Sequence, residues 1–160
     1  MTAAVQFDTF TMEREFPVAP ARVYAAFADP NIKRHWFAES AHHQVEEFTM
    51  QFEVGGRELA RYRFNAGSPF AGVLLESNGM FLDLVPGQRI VNAATMAIGG
   101  RRISASIHTF EFSETASGAT WMVFTHQAAF FEGADGPEMR RAGWQQLFEQ
   151  LHARLAKDGQ

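Results

Sequence analysis

The chain has 160 residues, no cysteine and a formal charge of −4 with both signs interspersed. A chain of this length buries enough surface to fold as one domain without staples, and the missing cysteines exclude disulfides, thiolate catalysis and cysteine-bound metals. With no basic block, nucleic-acid binding is not expected, and no uninterrupted apolar run approaches the length of a bilayer span. Residues 8–16 (DTFTMEREF) alternate, with Phe10, Met12, Arg14 and Phe16 on one face and polar residues on the other, as in a strand with one wet face. Pro20 suits the first position of a helix. Val23, Tyr24 and Phe27 follow at helical spacing until Asp29-Pro30, and Asn31 is placed to cap a second short helix through Trp36 and Phe37.

Strands resume near Val45. Residues 45–54 alternate, Gly55-Gly56 reads as a hairpin turn, and 57–64 returns with Glu58, Ala60, Tyr62 and Phe64 facing inward. Residues 65–69 form a loop, and 70–77 with 79–85 read as one strand carrying a bulge at Asn78-Gly79. Strands over 89–98, 101–113 and 119–128 follow, separated by Gly99-Gly100 and Ser117-Gly118. Pro137 opens a helix to about Lys157, with an apolar stripe of Trp144, Leu147, Phe148, Leu151 and Leu155.

Sequential hairpins imply an antiparallel sheet, because parallel strands need crossover helices. The last helix must bury its stripe, and the sheet is the only large apolar surface that can receive it. The expected architecture is α+β: a curved sheet of six to seven strands wrapped around a long C-terminal helix, with two short helices after strand one. Residues 1–160 then form one domain, ordered over about 8–156. There are 16 Phe and 7 Met but only 2 Tyr. Such soft, bulky side chains either fill a core or line an adaptable pocket.

Six stretches, in order, carry a resemblance: REFPVAPARVYAAFADP, HWF, FEVGGRE, DLVPGQRIV, GATWMVFTHQAAF and AGW. Together they resemble the helix-grip superfamily of START and birch-pollen-allergen proteins, called SRPBCC. Within it they are most similar to the subgroup resembling the C-terminal domain of the heat-shock-protein-90 ATPase activator. The resemblance implies a pocket between sheet and helix, and members that bind lipids, sterols, polyketides or aromatic compounds, some of them cyclases or hydrolases. The chaperone-activating role belongs to larger proteins with an additional N-terminal domain and is not carried over.

The candidate ligand-binding residues are Met12, Arg14, Phe16, Phe52, Glu58, Tyr62, Met96, Met122, Phe124, His126 and Trp144. Arg14, on an apolar face, is expected either to pair with Glu58 or to clamp an anionic ligand group. His126 reads as a hydrogen-bonded core histidine, a polar pocket group or a general base. His126, Glu58 and Arg14 are thus the only catalytic candidates. His42 and His43 point to opposite strand faces, and His35, His108 and His152 lack ligand spacing, so no metal site and no cofactor are expected.

The expected function is binding of a hydrophobic or aromatic small molecule. The alternatives are a cofactor-independent cyclase, dehydratase or hydrolase in the same pocket, and a stress-response domain that contacts a chaperone. Residues 103, 105 and 107 give the 101–113 strand a second apolar face, which suggests a homodimer. The N-terminus lacks the pattern of a signal peptide, so a cytoplasmic location is expected.

Overall fold

The computed structural model describes residues 4–158. The elements run β1 (Gln6–Phe16), α1 (Pro20–Ala28), α2 (Pro30–Lys33), a π-helical turn over Arg34–Ala38, β2 (His43–Met50), β3 (Arg57–Phe64), β4 (Leu74–Val85), β5 (Arg89–Ile98), β6 (Arg101–Glu114), β7 (Thr120–Phe130) and α3 (Pro137–Asp158). All seven strands join one antiparallel sheet in the order β1-β7-β6-β5-β4-β3-β2, curved around α3. The expected α+β helix-grip architecture is therefore present, with seven strands.

Register explains the core. Side chains directly opposite one another on neighbouring strands point to the same face, so the inner face is built of transverse rows. One row runs Met12, Phe124, Phe110 and Ile90 across β1, β7, β6 and β5. α3 lays its stripe over it: Trp144 and Phe148 sit 4.7 and 5.1 Å from the Phe124 ring. Phe148, Leu151 and Leu155 are fully buried, each worth roughly 1.5–3 kcal/mol. Phe27 of α1 closes one end of the grip against Trp36, Phe110 and Phe112.

Several local expectations change. Asp29, not Asn31, caps α2; its carboxylate accepts from the Asn31 backbone N–H at 2.9 Å, and Pro30 takes the first helical position. Gly55-Gly56 is not a two-residue hairpin turn. β2 ends at Met50, and residues 51–56 form a longer connection in which Gly55 and Gly56 exchange backbone hydrogen bonds with Phe81. The β4 irregularity lies between Phe81 and Asp83 rather than at Asn78-Gly79. By contrast, Gly99-Gly100 is the tight β5–β6 turn. Both residues have positive φ and Ile98 pairs with Arg101, a geometry that glycine adopts without strain.

Candidate functional site

A cavity of about 290 Å³ lies between α3 and the sheet. Its position follows from the rows. The row next to the stacked aromatics runs Phe10, His126, His108, Asn92 and Phe81. The row after that is Ala128, Ser106, Ala94, Gly79 and Glu58. Where four consecutive strands offer only alanine, serine and glycine, the sheet cannot reach α3 and the space stays open. Phe37, Tyr62, Leu75, Met96, Trp144 and Leu147 give the walls their apolar character. Phe37 arrives there on the π-helical turn, which aims Trp36 into the core instead, where its indole N–H donates to the Ala26 carbonyl at 2.9 Å.

Two ion pairs bound the cavity, one buried and one partly buried. Lys33 Nζ donates to Glu58 Oε2 at 2.5 Å, and both side chains are 7% exposed. The ammonium also lies 4.7 Å from the Phe37 ring centroid, a favourable cation–π placement. At the other side, the Arg140 guanidinium binds Asp135 through Nε and Nη2, both at 2.8 Å. Its remaining donors reach Ser104 at 2.9 Å and Ser106 at 3.4 Å. Each cation is thus closed by a carboxylate from this chain.

Between them stand two histidines. His126 stacks on Phe10 at 4.6 Å and on His108 at 5.1 Å. Neither His126 ring nitrogen has a hydrogen-bond partner, and the side chain is fully buried. Burial, then Arg140, pushes its pKa down to about 4, with Asp135 opposing. Burial pushes His108 well below the usual imidazole range, helped by His126, Arg140 and Lys33. Both rings are therefore neutral at pH 7. Burial and nearby Glu58 raise the Tyr62 phenol, which stays protonated. Among the described residues, no group of three or more His, Asp or Glu is placed to hold a metal.

Of the residues expected to bind a ligand, Glu58, Tyr62, Met96 and Trp144 line this cavity. Phe16, Met122, Phe124 and His126 are fully buried and do not. Phe52 packs on Tyr24 and Phe81. Met12 and Arg14 line a separate recess beside α3 with Arg141 and Gln145. The expected Arg14–Glu58 pair does not form, because four strands separate β1 from β3; Glu58 takes Lys33 instead. Of the three readings of His126, the hydrogen-bonded core histidine is not met, since both ring nitrogens lack partners and the ring is stacked instead.

Lys33, Asn92, His108 and Arg140 were not singled out from the sequence as ligand contacts. For Arg140 a signal existed: it stands one helical turn before Trp144, so the apolar stripe extended backward passes through it. Lys33 gave none, since its role depends on a carboxylate 25 residues away.

A family model described as Activator of Hsp90 ATPase homolog 1-like protein matches residues 17–156. Among solved structures, a protein from Rhizobium leguminosarum is 32% identical, covering 96% of this chain and 97% of its own, with a TM-score of 0.87. One from Rhizobium loti is 37% identical over 94% of this chain and 99% of its own, with a TM-score of 0.83. An AHSA1 protein from Silicibacter pomeroyi, 20% identical over 94% and 99% with a TM-score of 0.73, shares the fold. No curated protein matches. No helix among the described residues is long and apolar enough to cross a membrane.

Proposed function

The chain belongs to the Activator of Hsp90 ATPase homolog 1-like family, within the helix-grip superfamily, and from that premise we propose that it binds a hydrophobic or aromatic small molecule between α3 and the sheet. The observation that carries this reading is the open row at Ala94 and Ser106 beneath an otherwise filled core. Apolar wall left uncovered there favours an occupant, by roughly 25 cal/mol for each Å² of apolar surface removed from water.

Binding is favoured over acid–base catalysis. A general base works best with a pKa near the operating pH, and both histidines lie below it. Glu58 is committed to Lys33, and Arg14 stands outside the cavity. Native mass spectrometry of freshly purified protein tests the reading: a non-covalent adduct on the wild type, absent from Ala94→Phe, supports it. An adduct retained by folded Ala94→Phe, or no binding of any apolar aromatic by the wild type, overturns it.

Two further parts of the proposal are a cytoplasmic site of action, in keeping with the absence of cysteine, and a homodimer through the outer sheet face. Phe7 and Ile107 are exposed there, although Ile103 is fully buried and does not join them. Sedimentation velocity showing only monomer at high concentration removes the dimer.

A further inference from the structure

The charge and hydrogen-bond inventory of the cavity narrows the ligand class, resting on the binding reading above. Every buried cation that borders the cavity is already neutralised. Lys33 holds Glu58, and Arg140 spends its donors on Asp135, Ser104 and Ser106. A carboxylate entering this space meets no free cation, and an uncompensated buried charge is strongly disfavoured. Neutral polar groups, however, are unspent. Tyr62, Ser77, Asn92 and His108 all line the cavity, and none of their side chains makes a hydrogen bond among the described residues. Asn92 and His108 are direct cross-strand neighbours on β5 and β6. A carboxamide offers both donors and an acceptor, and a neutral imidazole one of each. Together they suit a hydroxyl or carbonyl, which both donates and accepts or simply accepts.

Size sets the other bound. An apolar protein cavity of about 150 Å³ holds one benzene; this one is about 290 Å³, room for about two rings.

We infer that the cavity takes an uncharged two-ring aromatic molecule bearing one hydroxyl or carbonyl, which hydrogen-bonds to the Asn92–His108 pair. Fatty acids and aromatic carboxylates are then disfavoured wherever the carboxylate is buried in the cavity, and a four-ring molecule would protrude from its mouth.

Isothermal titration of the full chain at pH 7.5 with naphthalene, 2-naphthol and 2-naphthoate tests this. On the wild type, 2-naphthol binds about 5-fold more tightly than naphthalene, the net effect of one hydrogen bond, and 2-naphthoate at least ~30-fold more weakly than 2-naphthol. Asn92→Leu, similar in volume, brings naphthol and naphthalene to equal affinity. Ala94→Phe abolishes binding of both. If naphthalene binds and Ala94→Phe removes it, but naphthoate binds as tightly as naphthol, the selection argument falls while the cavity reading stands. If none of the three binds the wild type, or if folded Ala94→Phe binds them unchanged, both fall. The wild-type ligand series decides the charge argument even if Asn92→Leu does not fold.

Discussion

Removing the Lys33 ammonium tests the buried ion pair most directly. At 2.5 Å and an effective dielectric constant of about 20, the attraction is of order 7 kcal/mol, offset by several kcal/mol of desolvation per ion. Lys33→Met keeps most of the side-chain volume against Phe37 and strands the carboxylate of Glu58. Breaking such a pair typically costs about 3–5 kcal/mol. For a chain of this size that lowers Tm by about 6–20 °C. The double variant Lys33→Met/Glu58→Gln carries no stranded charge and recovers most of the loss. Urea unfolding of the wild type, the single variants and the double variant at pH 7 checks both statements. A Lys33→Met cost below about 1 kcal/mol, the range of exposed pairs, would refute the reasoning.

Two further outcomes follow from other parts of the molecule. His126 is held neutral in the fold, with a pKa of about 4, and His108 is depressed as well. Between pH 6.5 and 4 the unfolded chain therefore binds protons that the folded chain refuses, so stability falls as pH drops through that window. His126 alone accounts for roughly 2–3 kcal/mol; His126→Phe should flatten the curve, and an equally steep curve in that variant contradicts the assignment. In the β2–β3 connection, a β-carbon at Gly56 would lie 2.0 Å from the Gln51 backbone carbonyl oxygen, whereas one at Gly55 meets nothing within 4 Å. Gly56→Ala should cost about 3 kcal/mol or more and Gly55→Ala, at φ +84°, only about 1–2 kcal/mol; the reverse order in urea unfolding would show that the connection relaxes.

What the sequence disclosed follows the range of the forces involved. Alternation, helical periodicity and glycine-rich turns act over a few residues, so the strands, α3 and the Gly99-Gly100 hairpin were legible. The inward face of β3 was legible too, because Glu58, Ala60 and Tyr62 share one parity. Which inward residues meet was not. Alternation places Phe124 and Tyr62 alike on the inner face, yet one is sealed under Trp144 and the other borders open space. That difference depends on which rows align across five strands, a property of register summed over the sheet. The partner of Glu58 was misread for the same reason. Parity made Arg14 eligible, but strand order put it out of reach and left the role to a lysine on a four-residue helix.

The transverse rows make the interior adjustable in units. Each rung of the curved sheet is a set of residues scattered widely along the chain but adjacent in space, and its combined bulk determines whether the helix touches the sheet at that level. Exchanging small for large residues between the Ala94 rung and the Asn92 rung beside it would shift the chamber along the helix without altering a turn or a cap. A scaffold of this kind can change what it holds while its folding instructions, carried by the turns and the outer parity, stay the same.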